Sequence, residues 1–367
     1  MTIDDLLKTI NTHVPFDTAE SWDNVGLLIG DKANKITGIL TALDCTKEIV
    51  DEALNKGCNT IICHHPLIFK GIKNITQQEG YGLIIRKLIK NDVNLIALHT
   101  NLDVYPKGVN AMLANKLGLE KQQILNPENI PYYKVQVFIP EENLSDFKEA
   151  LSEAGVAQEG DYQYCFFESS GTGQFKPVDN ANPHIGEKEQ ISHVQEYKLE
   201  FMIEYTQRTL TQDLITQHHP YETPVYDFIE LTKQANYGLG MIGKLKEVTT
   251  VKKFVSHVKD QLKMPSVRFS GDLNANIETV AIIGGSGIGF EYAASQKGAD
   301  IFVTGDIKHH DALDAKIAGV NLLDINHYSE YVMREGLCHL LEDWLNIEDK
   351  IFNIESSEIN TDPFEYL

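Results

Sequence analysis

Residues 59–66, NTIICHHP, place an apolar run directly before two histidines and a proline. A short apolar run bounded by polar residues is typical of a buried β-strand. The runs at 36–43 (ITGILTAL) and 94–98 (NLIAL) also end in polar residues, and helical patterns at 47–55 and 81–90 separate the three runs. This alternation predicts βαβ units and a parallel sheet. The histidines are then expected at the carboxyl edge of that sheet, where ligands bind in open α/β folds.

The last third of the chain repeats this pattern. The apolar runs that predict its strands are 280–283, 301–303 and 320–323. Each run leads into glycine or polar residues, and a helix is predicted over 329–344. We therefore expect one α/β body with parallel-rich sheets, built from two halves at residues 1–130 and 239–367.

The middle of the chain has a different rhythm. Strand and helix patterns follow the order β-α-β and then β-α-β, with a turn-rich stretch at 169–190 between the two groups. The strands are predicted at 133–139, 162–167, 199–205 and 225–231, and the helices at 141–154 and 209–218. This order is the split pattern of ferredoxin-like α+β domains. Residues 131–238 are therefore predicted to be a ferredoxin-like domain inserted into the α/β body, which accounts for the length of 367 residues.

Composition and charge exclude several classes of protein. With 42% hydrophobic and 23% charged residues, the chain has the composition of a folded globular protein. Its net charge of −21 disfavours binding to nucleic acid or to an anionic membrane surface, because both need a basic surface. No apolar run reaches the roughly 20 residues of a membrane helix, and the first residues form no positive leader, so we expect a cytoplasmic protein. Five cysteines without a C-x-x-C pair predict reduced thiols.

Three histidines and two carboxylates are candidate metal ligands. His64 and His65 follow one predicted strand and Asp103 follows the next, so all three are expected at one edge of the sheet. His327 and Glu330, in the other half, are three residues apart, which places both on one face of a helix. The same spacing occurs in carboxylate-bridged dinuclear sites. This mixed nitrogen and oxygen set fits two divalent cations better than a closed structural zinc site with four ligands.

Four other motifs have alternative interpretations. The GSGIG segment at 285–289 is interpreted as a tight turn with a close backbone approach, or as an anion-binding helix start, in preference to a dinucleotide fingerprint. His310 either supports a metal ligand, shuttles protons, or is a solvated residue at the start of a helix. The His-His pair at 218–219 is assigned to a structural turn. Asp44 is assigned to a helix N-cap in preference to a carboxylate that supports a metal ligand.

Seven segments distributed over the chain carry a family resemblance. In the two halves they are WDNVGLLIG (22–30), ICHHPLIF (62–69), ALHTNLD (97–103), TGDIKHHDALDA (304–315) and INHYSE (325–330). The chain resembles the family of GTP cyclohydrolase 1 type 2 homologues, also called the NIF-three-like family. GTGQFKPVDNANPHIG (171–186) and HPYETPVYDF (219–228) resemble the PII-like or CutA-like domain of its longer bacterial members. The resemblance covers nearly the whole chain.

The resemblance implies a dinuclear metal centre. The positions that match its ligands are His64, His65, Asp103, His327 and Glu330, with Glu330 as the bridge. The resemblance also implies a toroidal homohexamer whose metal sites face an internal cavity. Imidazole and carboxylate ligands suit zinc, which is the expected ion, and iron or manganese are the alternatives.

Two functions from different classes follow as hypotheses. The first is a metal-dependent hydrolase in which an activated water attacks a small, nucleotide-like substrate, with His310 as a candidate acid or base. The second is a non-catalytic metal-binding scaffold or regulator whose PII-like insert senses a small ligand. The sequence shows no obvious nucleophile or P-loop, which keeps the second hypothesis open. An activity assay on the metal-loaded protein distinguishes the two.

Overall fold

A computed structural model describes residues 1–76, 80–345 and 352–366. In this structure the chain divides into two compact units. The first unit consists of Met1–Glu128 and Asn236–Leu367, and the second unit consists of Asn129–Ala235. Within the described ranges, no helix combines the length and the apolar character needed to cross a membrane.

The chain before residue 120 alternates strands and helices, as its periodicity predicts. In chain order the elements are α1 (Ile3–His13), β1 (Gly26–Ile29), β2 (Gly38–Ala42), α2 (Lys47–Asn55), β3 (Thr60–Cys63), α3 (Tyr81–Lys90), β4 (Asn94–Ala97), α4 (Thr100–Val104) and α5 (Val109–Lys116). Strands β2, β3 and β4 pair in parallel, and every residue in them is buried. Continuous burial is typical of a parallel sheet that is covered on both faces. Strand β1 adds to β4 in antiparallel orientation.

Helix α2 begins at its N-cap, Thr46. The Thr46 hydroxyl accepts a hydrogen bond from the backbone N–H of Ile49 at 3.4 Å, and such a cap satisfies one of the free N–H groups at a helix start. Ile49, Val50 and Ala53 form the buried face of the helix. The predicted bounds of α2 and α3 are confirmed. The prediction that Asp44 caps this helix is wrong, because Thr46 occupies the cap position and the Asp44 carboxylate faces a histidine.

The second unit has a different order of elements. They are the second part of β5 (Glu120–Pro140), α6 (Leu144–Glu153), β6 (Phe166–Phe175), β7 (Ser192–Glu204), α7 (Arg208–His218) and the first part of β8 (Tyr226–Thr250). Strand β7 pairs in antiparallel orientation with both β6 and β5, and the strand order is β6-β7-β5-β8. The unit has its own apolar core, which includes Val137, Phe147 and Leu199.

The strands of the second unit differ in extent from the predicted strands. The stretch 169–190, predicted to be rich in turns, begins inside strand β6, which continues to Phe175 and pairs with β7 as far as Ser192. Its glycines weaken the strand pattern in the sequence. In the fold Gly173 leaves space for the carboxylate of Glu196, since a Cβ at position 173 would lie 2.0 Å from Glu196 Oε2. Strand β8 likewise continues well beyond the predicted strand.

The chain after β8 forms the second half of the first unit. Its elements are α8 (Val251–Gln261), β9 (Arg268–Ser270), β10 (Asn276–Ile282), α9 (Glu291–Gln296), β11 (Ile301–Thr304), α10 (His309–Ile317), β12 (Leu322–Asp324), α11 (Met333–Leu345) and β13 (Asn353–Ser356). Strands β10, β11 and β12 are parallel, and the antiparallel strands β8 and β9 flank them. Where one helix was predicted from residue 329, a 3₁₀-helix at His327–Val332 precedes α11.

Strand β13 joins the two halves of the first unit. It pairs in parallel with β2, with Ile354 opposite Ile39, so the first sheet has the order β1-β4-β3-β2-β13. One apolar core contains residues of both halves, including Ile62, Ile282 and Leu337. The protein is therefore a mixed α/β protein with two sheets, and the two halves of this unit fold around a shared core.

Candidate metal centre

Six side chains that could ligate a metal ion lie together in the first unit. They form three overlapping groups, and within each group the ligand atoms lie within 4.8 Å of one another. The groups are His64, His65 and His99; His65, His327 and Glu330; and His64, Asp103 and Glu330. Residues from both halves of the chain contribute. These groups could hold a metal ion.

His64, directly after β3, is fully buried, and its two ring nitrogens have different surroundings. Nδ1 lies 2.7 Å from the Leu98 carbonyl oxygen, so this nitrogen carries the proton and donates. Nε2 therefore bears the lone pair, and it lies 3.5 Å from Asp103 Oδ1 and 3.8 Å from Glu330 Oε2 without a hydrogen bond to any described residue. Burial lowers the pKa of His64 to about 3, so the ring stays neutral. A buried nitrogen lone pair and two nearby carboxylates together provide the ligand atoms that a cation site needs.

His65 and His327 have the same orientation as His64. Nδ1 of His65 lies 2.7 Å from Asp44 Oδ1, and Nδ1 of His327 lies 2.7 Å from Asp306 Oδ2. Their Nε2 atoms lie 3.1 and 3.3 Å from Oε2 of Glu330. Burial lowers the pKa of His65, but hydrogen bonds with Asp44 and Glu330 outweigh it and raise the pKa to about 10. The hydrogen bond with Glu330 raises the pKa of His327 to about 9. Both shifts show that this part of the site favours positive charge.

Two carboxylates complete the group, of which Glu330 is buried and Asp103 is half-buried. Burial raises the pKa of Glu330, but hydrogen bonds from His327 and His65 outweigh it and hold the pKa well below its usual range. Asp103 lies within helix α4, several residues beyond the strand end where it was predicted. Burial and the nearby charge of Glu330 raise the pKa of Asp103 well above its usual range. Two carboxylates that oppose each other's ionisation in this way attract a shared cation.

His99 belongs to the cluster, although the sequence analysis did not predict it to be a metal ligand. Its Nδ1 lies 2.9 Å from Asp23 Oδ1, and the Asp23 carboxylate also accepts a hydrogen bond from the Thr100 N–H at 3.1 Å. Burial raises the pKa of Asp23, but the hydrogen bonds with His99 and Thr100 lower it well below its usual range. His99 follows the edge of the parallel sheet just beyond β4, much as His64 follows β3. This position after a strand of the parallel sheet was the feature of the sequence that could have indicated His99 as a candidate ligand.

The glycine-rich segment after β10 lies against Glu330. Gly285 has a φ of +59°, and a Cβ there would lie 2.6 Å from Glu330 Oε1. Further along, the Gly287 N–H donates to the Thr304 hydroxyl at 2.8 Å. The backbone of this segment therefore approaches Glu330 closely, as the sequence predicted. The Gly287 N–H is already paired within the protein.

Two other predicted histidines lie outside the cluster. His310 is exposed in the first turn of α10, where its ring packs edge-on against His309 at 5.3 Å between centroids, and it belongs to none of the three groups. Its role as an acid or base remains a prediction. In the second unit the buried His219 accepts from the Tyr221 N–H at Nδ1, 3.1 Å, and its Nε2 lies 2.7 Å from the Phe138 carbonyl oxygen. This pairing fits a structural turn.

A cavity of about 400 Å³ opens beside the cluster. His65, His327 and Asp44 line one part of it, and Tyr81 and Tyr328 also line it. The cavity is therefore lined both by imidazoles that could bind a metal ion and by aromatic rings.

The fold and the cluster define a mixed α/β protein with histidine and carboxylate groups that could hold a metal ion. The chain belongs to the Duf34/NIF3 (NGG1p interacting factor 3) family, whose sequence model matches residues 1–363. The family resemblance is thereby confirmed. A protein of Staphylococcus aureus (strain MRSA252) named GTP cyclohydrolase 1 type 2 homolog is 60% identical over 367 residues, which cover 100% of both chains.

Two solved structures share this fold. The crystal structure of Staphylococcus aureus protein SA1388 is 57% identical in sequence, with a TM-score of 0.87, over 100% of this chain and 99% of that chain. The crystal structure of a Bacillus cereus protein related to NIF3 is 36% identical, with a TM-score of 0.73 and the same coverage. The similarity extends over the whole chain in both cases.

Proposed function

We propose that the protein is a metal-dependent hydrolase with a dinuclear metal centre. The observation that carries this proposal is the Nε2 atom of His64, which is buried without a partner and faces Asp103 and Glu330. In His65 and His327 a carboxylate likewise holds Nδ1, so that Nε2 faces Glu330. Acceptors placed behind metal ligands fix the ring orientation and the tautomer in this way.

Five residues are assigned as ligands of two divalent ions. They are His64, His65, Asp103, His327 and Glu330. Glu330 would be shared between the ions, as the family resemblance implies, and its Oε2 atom faces the Nε2 atoms of three imidazoles. His99 is a further candidate ligand. The mixture of imidazole and carboxylate favours zinc, and iron or manganese also suit it.

When bound, two divalent ions supply a water of lowered pKa and a Lewis acid for the substrate. The residues of the chain position this chemistry. Asp44 fixes the ring of His65 and Asp306 fixes the ring of His327, each through a contact of 2.7 Å. The burial of Glu330 and His64 excludes water from the inner side of the site.

The cavity beside the cluster is consistent with the proposal that the substrate is nucleotide-like. Tyr81 and Tyr328 line this cavity, and aromatic side chains can stack against a heterocyclic base. The relatives named GTP cyclohydrolase 1 type 2 homolog point to the same class of substrate. His310 is retained as a proposed acid or base, and its test is a His310→Ala variant that loses turnover and keeps its metal.

The test is an assay of the metal-loaded protein against GTP and a panel of nucleotides and phosphoesters. We expect turnover of at least one compound, and we expect Glu330→Gln to abolish it. Glu335→Gln is the matched control, because Glu335 is exposed in the first turn of α11. Absence of turnover, or turnover that Glu330→Gln leaves unchanged, would contradict the hydrolase. Tight metal binding without turnover would instead support a non-catalytic scaffold or regulator.

We also propose a domain arrangement and an assembly for the protein. Residues 131–238 are proposed to be a ferredoxin-like domain, related to PII or CutA, inserted between halves at 1–130 and 239–367. The β-α-β-β-α-β element order and the strand order β6-β7-β5-β8 support this assignment. The assembly is proposed to be a toroidal homohexamer in the cytoplasm, on the strength of the family resemblance.

A further inference from the structure

The second unit contains a cavity of about 430 Å³ that the proposed metal chemistry does not use. This volume lies within the range of about 300–1,000 Å³ that is typical of small-molecule sites. Its walls are largely apolar and include Phe138, Phe175, Pro177 and Val225. One buried carboxylate, Glu196, also lines it.

Glu196 lies on β7, between the strands β6 and β5, and is 8% exposed. Its Oε1 atom accepts a hydrogen bond from the Tyr221 hydroxyl at 2.7 Å. Burial and the charge of Glu196 raise the pKa of Tyr221, so the hydroxyl remains a donor. Oε2 has no hydrogen-bond partner among the described residues, and it occupies the space that the missing side chain of Gly173 leaves open.

The basic side chains that line the cavity have carboxylate partners elsewhere. Lys176 pairs with Glu189 at 2.8 Å. His184 lies 3.4 Å from Glu142. No lysine, arginine or histidine of the described ranges forms an ion pair with Glu196. Its charge is therefore not balanced by either basic residue of the cavity wall.

His219 is a further titratable group near Glu196, and it does not balance the charge either. Both of its ring nitrogens are used, since Nδ1 accepts from the Tyr221 N–H and Nε2 faces the Phe138 carbonyl oxygen. Burial lowers the pKa of His219, so the ring is neutral. Oε2 of Glu196 is therefore a carboxylate oxygen without a protein partner in a largely apolar wall, and a cation that enters the cavity can pair with it.

We propose that this cavity binds a small organic cation, with an ammonium or guanidinium group on an apolar or aromatic body. The cationic group pairs with Oε2 of Glu196, and the body packs against Phe138 and Phe175. A divalent metal ion fits less well, because it needs several nitrogen or oxygen ligands and the walls are largely apolar.

The test is calorimetric titration of the full chain with 2-phenylethylamine and with 2-phenylethanol, which has a similar shape without the charge. We expect the amine to bind and the alcohol to bind much more weakly. Glu196→Gln should weaken binding of the amine by about tenfold or more, since it removes a charged hydrogen bond. Glu230→Gln, an exposed carboxylate of the same unit outside the cavity, should leave binding unchanged.

A second variant keeps the test decisive if Glu196→Gln does not fold. Ala181→Trp places a large ring in the cavity wall and should abolish binding of the amine, while circular dichroism shows that the fold is retained. The proposal is overturned if the amine does not bind at millimolar concentration or if the alcohol binds equally well. Binding that survives in both Glu196→Gln and Ala181→Trp would also overturn it.

Discussion

Gly285 is the residue whose backbone lies against the Glu330 carboxylate. Since a Cβ at position 285 would lie 2.6 Å from Glu330 Oε1, we expect Gly285→Ala to displace the carboxylate and weaken zinc binding. The expected loss is about tenfold or more, a size typical of changes behind metal ligands. The left-handed backbone should also lower the free energy of unfolding by about 1–3 kcal/mol. Calorimetric zinc titration and urea unfolding measure the two effects.

Gly57→Ala is the matched control for this prediction. Gly57 has a φ of +70°, and no atom lies within 4 Å of the position of its Cβ. It should show the same kind of backbone strain with unchanged zinc affinity. Equal zinc affinity in the two variants would show that the contact between Gly285 and Glu330 does not matter.

Substitution of Asp44 tests how the proposed ligand His65 is oriented. Its carboxylate lies 2.7 Å from Nδ1 of His65 and fixes the ring so that Nε2 faces the cluster. We expect Asp44→Asn to weaken zinc binding by about 10-fold to 100-fold. Asp213→Asn, an exposed position in α7, should have no effect on the same titration. An unchanged zinc affinity in Asp44→Asn would show that Asp44 does not contribute to metal binding.

The sequence predicts part of this site and misses part of it for physical reasons. His64 and His327 were selected from short local patterns, a strand end and an i,i+3 spacing, and the structure brings both to Glu330. Asp44 was misassigned because a polar residue before a helix usually caps it, whereas here Thr46 does so. His99 was missed because its partner, Asp23, is distant in sequence and no local pattern connects the two.

At the scale of elements, β13 links the end of the chain to the first sheet. Ile354 is 9% exposed in the shared core and lies opposite Ile39 on β2. We expect Ile354→Ala to lower the free energy of unfolding by about 2–4 kcal/mol, because it leaves a cavity in the core. Val248→Ala, at a position that is 63% exposed, should change it very little. Urea unfolding of both variants measures the difference, and equal stabilities would contradict the role of β13.

Elements with strong local patterns were predicted well. Helices α2 and α3 have the predicted bounds because their apolar faces and their ends are encoded within about ten residues. The extension of β6 to Phe175 was not predictable in this way. Its glycine-rich sequence resembles a turn, and only pairing with β7 makes it a strand.

For the whole molecule, the proposed homohexamer predicts a particular mass in solution. Sedimentation velocity should give about six times the chain mass of 41.3 kDa. Oligomers with closed rings have defined sizes, so the mass should not increase steadily with concentration. A monomer or a dimer would contradict the assembly and leave the assignment of the metal ligands unaffected.

The proposed dinuclear centre is tested most directly by the metal content of the purified protein. Elemental analysis after extensive dialysis should find two divalent ions per chain in the unaltered protein. Glu330→Gln should lose bound metal, because it removes the carboxylate that faces three imidazoles, and Glu335→Gln should retain it. An unaltered protein that binds no divalent metal, or a Glu330→Gln variant with the full metal content, would contradict the centre.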